Sequence, residues 1–109
     1  IMSIHITDMY QSGKSWYRKY SNGWVEQGGY VSGAVDATVK LLVPMKDTNY
    51  TLLTSKSMYA GENGDGGSHV INTYNKTSTS FSICAWGQGG KSFKSSATGF
   101  WSVYGYGAK

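Results

Sequence analysis

The sequence predicts an all-β domain, an antiparallel β-sandwich of seven to eight short strands. Three observations predict it. The 109 residues carry 9 Tyr and 4 Trp with 15 Gly and a single Pro, and are rich in Ser and Thr but poor in Glu, a composition suited to pleated strands and frequent turns. Turn residues recur at a spacing of about 10–14 residues between short alternating runs, as sandwiches and barrels require. Asn22-Gly23 stands between two aromatic, β-prone segments, the strongest short-range hairpin signal. No segment has convincing helical periodicity, and no internal repeat is visible. The length suits one domain, which would bury roughly 65% of the surface of its extended chain.

Residues 1–14 alternate at Ile4 and Ile6 before Met9 and read as a strand or an extended lead-in. Residues 15–20 and 24–31 form the hairpin. A type I′ turn, with positive φ at both Asn22 and Gly23, would place Ser21 opposite Trp24, Tyr20 opposite Val25, Lys19 opposite Glu26 and Arg18 opposite Gln27. Lys19–Glu26 would then be a cross-strand ion pair worth at most about 1 kcal/mol. Gly28-Gly29 predicts a bulge or bend. Residues 35–43 place Val35, Ala37, Val39, Leu41 and Val43 on one face of a half-buried strand that Pro44 ends. Lys46–Asn49 is a turn, and Tyr50–Ser55 is the next strand. Residues 57–68 form the longest loop. Strands follow at 69–75 and 79–86 around a turn at Lys76–Ser78. A second Gly/Ser-rich loop covers 87–97, and an aromatic strand at 98–106 closes the domain.

Composition and charge exclude several classes. Charged residues are only 15%, against about 25% in typical domains. The net charge of +4 comes from basic residues scattered between Lys14 and Lys109. Nucleic-acid binders gather such residues into a block or stripe, so a surface mildly attracted to anionic cell envelopes is the better reading. No apolar run approaches the roughly 18 residues needed to span a membrane. The first residues lack the pattern of a secretory signal. The chain reads as the end of a longer protein, with Gly105–Lys109 as its C-terminus. The one cysteine, Cys84, has no intrachain partner for a disulfide. It reads as a small buried hydrophobe rather than a nucleophile, since no base is marked beside it.

Several segments resemble the C-terminal tip domains of tailed-phage tail fibres, a module also found on phage-tail-like bacteriocins. Tyr20-Ser-Asn-Gly-Trp-Val-Glu-Gln-Gly-Gly29 is similar to that family's YS[DN]GW-x-EQGG stretch. Pro44-Met-Lys-Asp-Thr-Asn-Tyr-Thr-Leu52 resembles its P[FM]-x-DTNY segment, and Asn75-Lys-Thr-Ser-Thr-Ser-Phe81 its NKT[TS]T[GS]F hairpin. Phe100-Trp101 through Tyr106 resembles its closing aromatic strand. The likeness runs in order from residue 15 to residue 106. It implies a homotrimeric β-sandwich at the distal end of a virion's tail fibre. In that scheme residues 1–14 are the end of a fibre shaft or an N-terminal strand, and 15–109 are the receptor-binding tip. The resemblance implies adhesion to lipopolysaccharide, capsule glycan or an outer-membrane protein. Trp16, Tyr20, Trp24 and Phe81 match scaffold positions, and no receptor site carries over.

Candidate receptor contacts therefore come from loop chemistry. Tyr59, Glu62, Asn63 and Asp65 lie in the longest loop, where carboxylates and amides can bond sugar hydroxyls and Tyr59 can stack. The plainer alternative is a turn with no partner. Lys91, Phe93 and Lys94 lie in the second Gly/Ser-rich segment. Its lysines suit phosphates or acidic sugars, and the plainer alternative packs Phe93 back on the sheet. Asn63-Gly-Asp65 has the start of a calcium loop, but the required Glu at the twelfth position is Tyr74. His5 and His69 would meet their copies only on a trimer axis, and each reads as a surface or hydrogen-bonded histidine. Trp16, Trp24, Trp86 and Trp101 read as core rather than sugar platforms.

No catalytic motif is present: no phosphate loop, zinc spacing or Ser/His/Asp order appears. Two carboxylates at the right separation would suffice for glycoside cleavage, but no pair is marked by context. The expectation is a non-enzymatic, multivalent adhesin without cofactor or metal, neither binding nucleic acid nor embedded in a membrane. The alternatives are a monomeric lectin-like module of a larger protein and a purely structural fibre domain.

Overall fold

The computed structural model describes residues 3–32, 36–56, 68–89, 91–95 and 98–109. These residues form nine strands and no helix: β1 Ile6–Ser12, β2 Ser15–Tyr20, β3 Trp24–Val31, β4 Asp36–Lys40, β5 Thr51–Lys56, β6 Ser68–Tyr74, β7 Ser80–Gly89, β8 Lys91–Ser95 and β9 Gly99–Tyr106. Five strands build one sheet in the order β1-β2-β3-β9-β5, and four build the other around β7. Every pairing is antiparallel. β4 and β8 lie end to end along one edge of β7, the first pairing with Ser80–Cys84 and the second with Ala85–Gly89. β6 takes the other edge.

The turns show how local chemistry sets the register. Ser12 pairs with Ser15 across Gly13-Lys14, and Gly13 takes φ +59°, the positive value that a type II′ turn needs at its first central position. The β2–β3 hairpin differs from the expected type I′ form. Only Gly23 has positive φ, at +91°. Its amide donates to the Tyr20 carbonyl at 2.9 Å, and the Asn22 side chain accepts from the Trp24 amide at 3.1 Å. This is the longer loop in which a type I turn is followed by one left-handed residue. The extra loop residue shifts the register by one. Arg18 therefore faces Glu26 and Lys19 faces Val25, in place of the expected Lys19–Glu26 pair.

Two other expectations are corrected. Gly28 and Gly29 form neither bulge nor bend, since β3 pairs with β9 without interruption from Trp24↔Tyr106 to Val31↔Gly99. Residues 87–89 and 91–95 are strand rather than loop: β7 runs to Gly89 and β8 pairs back on it, which adds a strand to the expected count. The β4 strand is also shorter than expected: the Leu41 amide makes the last bond in the β4–β7 register, and backbone beyond it bonds elsewhere. Leu41 N donates to Thr79 O at 2.9 Å, Met45 N to Ser78 O at 2.7 Å and Lys46 N to Tyr106 O at 2.9 Å.

The sheets meet over a core of Val25, Val43, Met45, Tyr50, Phe81, Ile83, Trp101 and Val103. Phe81 from one sheet and Trp101 from the other join edge to face, with centroids 5.4 Å apart. Cys84 is buried as well, on the face of β7 opposite Phe81 and Ile83. The domain is elongated, 57 × 25 × 22 Å. Register defines its two ends. His5, the Ser21–Gly23 turn and Gly107 share one end, where Ser21 N donates to His5 O at 2.8 Å and Gly107 N to Gly23 O at 2.9 Å. The Gly13-Lys14 turn and the Val31, Lys56 and Gly99 strand ends share the other. β7 starts near Tyr50 at the first end, so its ten residues carry the β7–β8 turn roughly 30 Å toward the second.

Candidate functional site

The Glu26-Gln27-Gly28-Gly29 stretch organises the scaffold, and each residue has a distinct task. Glu26 points outward, half-buried. Its Oε1 accepts from Arg18 Nε at 3.2 Å and from the Tyr20 hydroxyl at 2.9 Å, and its Oε2 accepts from Trp24 Nε1 at 3.4 Å. Burial raises its pKa, but these three donors and the Arg18 charge outweigh burial and hold it below its ordinary value. The Tyr20 phenol is correspondingly raised, first by its hydrogen bond to Glu26.

Gln27 points inward and is fully buried. Its Nε2 donates to Val43 O at 2.8 Å, and its Oε1 accepts from Leu42 N at 2.8 Å and Val43 N at 3.0 Å. The amide thus satisfies the backbone of a segment that has left the sheet, as buried backbone requires. Gly28 and Gly29 admit two indoles. A Cβ on Gly28 would lie 2.6 Å from Trp16 Nε1 and 2.7 Å from Trp101 O, and one on Gly29 would lie 2.9 Å from Trp101 Nε1.

The other two segments singled out in the sequence fold against each other. Asp47 Oδ1 accepts from Asn49 N at 2.9 Å, the side-chain turn expected there. Tyr50, 4% exposed, donates its hydroxyl to Thr77 O at 2.8 Å and lies 3.3 Å from Ser80 O. Lys76 donates to the Tyr50 carbonyl and sits over its ring, 4.4 Å from the centroid. Asn75 takes φ +50°, and the Thr77 hydroxyl accepts from Ser80 N at 3.0 Å and Thr79 N at 3.2 Å. These bonds hold the two segments together.

The surface differs from expectation in where it puts the aromatics. Of the tryptophans whose side chains are described, Trp101 alone belongs to the core. Because Val25 and Gln27 face inward, their neighbours Trp24, Glu26 and Gly28 face outward, and register places Trp16 and Arg18 with them. β9 adds Phe100, Tyr104 and Tyr106 to that outer face. Trp24 meets Tyr106 edge to face at 5.2 Å, and Tyr30 meets Phe100 at 4.8 Å. Arg18 lies over the Trp16 ring at 4.7 Å, and Lys14 over the Tyr30 ring at 4.0 Å. Composition alone could not separate these outward aromatics from core ones. Strand parity anchored on an inward Gln27 would have done so.

A groove of about 370 Å³ runs beside Met9, Gln11, Trp16 and Arg18. A larger cleft of about 590 Å³ lies at the end shared with His5, between Asn22, Lys46, Tyr106 and Lys109. Neither includes a loop residue chosen from the sequence. Tyr59, Glu62, Asn63 and Asp65 lie outside the described residues. Lys91, Phe93 and Lys94 stand on β8, opposite Gly89, Gly87 and Trp86 in register. Their side chains are not among those described. His5 is exposed, with Nδ1 3.3 Å from Ser3 O. Among the described residues no group of three or more His, Cys, Asp or Glu gathers to hold a metal, and no helix is long and apolar enough to cross a membrane.

No known family profile matches the chain, and no curated protein sequence matches it. Solved structures do. A structure of the P. aeruginosa R2 pyocin fibre, comprising its C-terminal residues, aligns over 95% of this chain with a TM-score of 0.59 and 16% identity. An N-truncated R2-type pyocin tail fibre aligns over the same share with a TM-score of 0.58 and 16% identity. The chain spans 26% and 38% of those two chains. It therefore has the fold of part of the C-terminal region of a pyocin tail fibre.

Proposed function

We propose that this chain is the receptor-binding tip of a phage tail fibre or of a tail-like bacteriocin. In this reading it is a homotrimer at the distal end of the fibre. It adsorbs to a bacterial surface glycan, lipopolysaccharide or capsule, or to an outer-membrane protein, by reversible non-covalent contacts. The observation that carries the reading is the likeness to R2 pyocin tail fibres over 95% of the chain. The internal wiring supports it, because the three sequence segments that resemble fibre tips form one connected scaffold through Gln27, Tyr50 and Phe81.

The two ends of the domain give the reading a direction. A shaft joined at β1 enters at the His5 end. The far end then carries the flanks of the 57–67 segment, Lys56 and Ser68, together with the β7–β8 turn. Receptor contacts are assigned to Tyr59, Glu62, Asn63 and Asp65, in the sequence between Lys56 and Ser68, and to Lys91, Phe93 and Lys94 on β8. Threefold display multiplies weak glycan contacts by about 10²–10⁴ in avidity.

The test is binding of the labelled 109-residue chain to a panel of Gram-negative strains. Saturable binding to some strains, lost on their lipopolysaccharide- or capsule-deficient derivatives, is the expected result. A domain that binds no strain would instead be a structural part of its fibre. Tyr59→Ala combined with Asp65→Ala should weaken binding and leave the thermal midpoint near wild type. Unchanged binding would remove the longest loop from the receptor site.

A further inference from the structure

We infer that the cleft between the two sheets beside Trp101 is a binding site for the acetamido group of an N-acetylated sugar. The inference rests on the receptor-tip reading and names the sugar chemistry that reading leaves open. The cleft has a volume of about 390 Å³, with Gly29 and Val31 contributed by β3 and Ala37 and Val39 by β4. That volume falls within the roughly 300–1,000 Å³ of small-molecule sites. Val31, Ala37 and Val39 pack against the core yet stay only half-buried. The gap between the sheets is therefore open at this flank, whereas it is closed around Phe81 and Val103.

One polar atom inside carries the inference. Trp101 is 6% exposed, and its Nε1 has no acceptor among the described residues. A buried indole N–H ordinarily finds one. Register puts Trp101 opposite Gly29, on the inward parity of Val25 and Gln27. A Cβ on Gly29 would lie 2.9 Å from Nε1, and Gly29 and Trp101 both line the cleft. Glycine at this position thus leaves the N–H edge of the indole uncovered.

The donor selects the ligand. An indole N–H only donates, so the ligand atom beside it must accept. A sugar hydroxyl would accept but leave its own proton facing Val31, Ala37 and Val39, and an unpaired buried donor is costly. A carboxylate would give up its water for one neutral donor, since Lys40 at the border stands on the exposed side of β4. A carbonyl oxygen accepts with no proton to place, and the acetamido methyl meets the apolar walls. The acetamido N–H then faces the mouth, where Ser15 and Ser32 offer hydroxyl acceptors. Ser15 and Val31 belong to the end remote from His5, so a glycan reaches the mouth without meeting a shaft joined at β1.

The test is NMR titration of the isotope-labelled 109-residue chain with the methyl glycosides of N-acetylglucosamine and of glucose. Trp101→Phe identifies the Trp101 indole resonance by its loss. The N-acetyl sugar should move that resonance, with saturation transfer strongest at its acetyl methyl, and methyl glucoside should do neither. Trp101→Phe, which keeps a ring in the core but has no donor, should weaken binding of the N-acetyl sugar by about five- to tenfold. If that variant fails to fold, Ala37→Leu, which puts a larger side chain into the cleft from a half-buried position, should abolish the saturation transfer in its place. A Trp101 resonance that neither sugar moves overturns the cleft, and if strains still bind the chain the receptor-tip reading stands. Equal movement by both sugars overturns the acetamido assignment. A chain that takes the sugar at Trp101 but binds no strain supports the cleft and overturns the receptor-tip reading.

Discussion

Gln27 and Val43 bond to each other as two paired strands would, although one of them contributes only a side chain. Gln27 Nε2 donates to Val43 O at 2.8 Å and its Oε1 accepts from Val43 N at 3.0 Å. A side-chain amide has the donor and acceptor of a peptide group at the same spacing, so it can stand in for a neighbouring strand. It does so where Pro44 and the turn after it prevent a continuous ladder.

Gln27→Leu should therefore be among the most damaging substitutions in the domain. It strands the buried Val43 amide and carbonyl and unpairs the part-buried Leu42 amide, at a cost of about 2–5 kcal/mol. Urea unfolding measures it. A loss below about 1 kcal/mol would mean that water replaces the amide.

Gly28→Ala and Gly13→Ala separate two reasons for glycine. At Gly28 the added methyl meets Trp16 and the Trp101 carbonyl within 2.7 Å, and backbone cannot yield cheaply. The expected cost is about 2–4 kcal/mol. At Gly13 nothing lies within 4 Å and only the positive φ resists, for about 1 kcal/mol. Thermal midpoints in the reverse order would contradict the packing of Trp16 across β3.

The hairpin register has its own test in a double-mutant cycle. Arg18→Ala with Glu26→Ala should show coupling of at most about 1 kcal/mol, since both groups are partly exposed. Lys19→Ala with Glu26→Ala should show none. Coupling confined to the lysine pair would restore the shorter type I′ turn.

Acid stability should depend on Glu26. Its folded pKa lies below the ordinary 4.5, so ionisation stabilises the fold above the unfolded value. That contribution is lost as pH falls through the folded value. In Glu26→Gln the fall of the thermal midpoint below pH 4.5 should be shallower than in wild type. Identical slopes would show that other carboxylates carry the acid sensitivity.

Much of the fold was legible because alternation and turn residues act locally. β2, β3, β5, β6 and β9 sit within a residue or two of their expected bounds. β8 was hidden because Lys91–Ser95 has no β-branched residue, and pairing with β7 supplies what propensity lacks. The hairpin register was misread because Asn-Gly serves more than one turn, and only backbone φ distinguishes them. The outward aromatics were misread because Trp16 and Trp24 carry the same hydrophobic signal whichever way they point. Gln27 was the decisive residue for the parity of β3, and a polar residue is a poor advertisement for burial.

The placement of His5 beside the Ser21–Gly23 turn has a mechanical consequence. Suppose the domain is held at its far end and drawn back through the start of β1. The load then runs along β1, parallel to β2, and the rungs between Ile6↔Tyr20 and Ser12↔Ser15 are sheared together rather than peeled one at a time. Rungs that share a load must break nearly at once, which demands far more force than unzipping. Such a strand holds fast against a pull along its axis and yields readily to one across it.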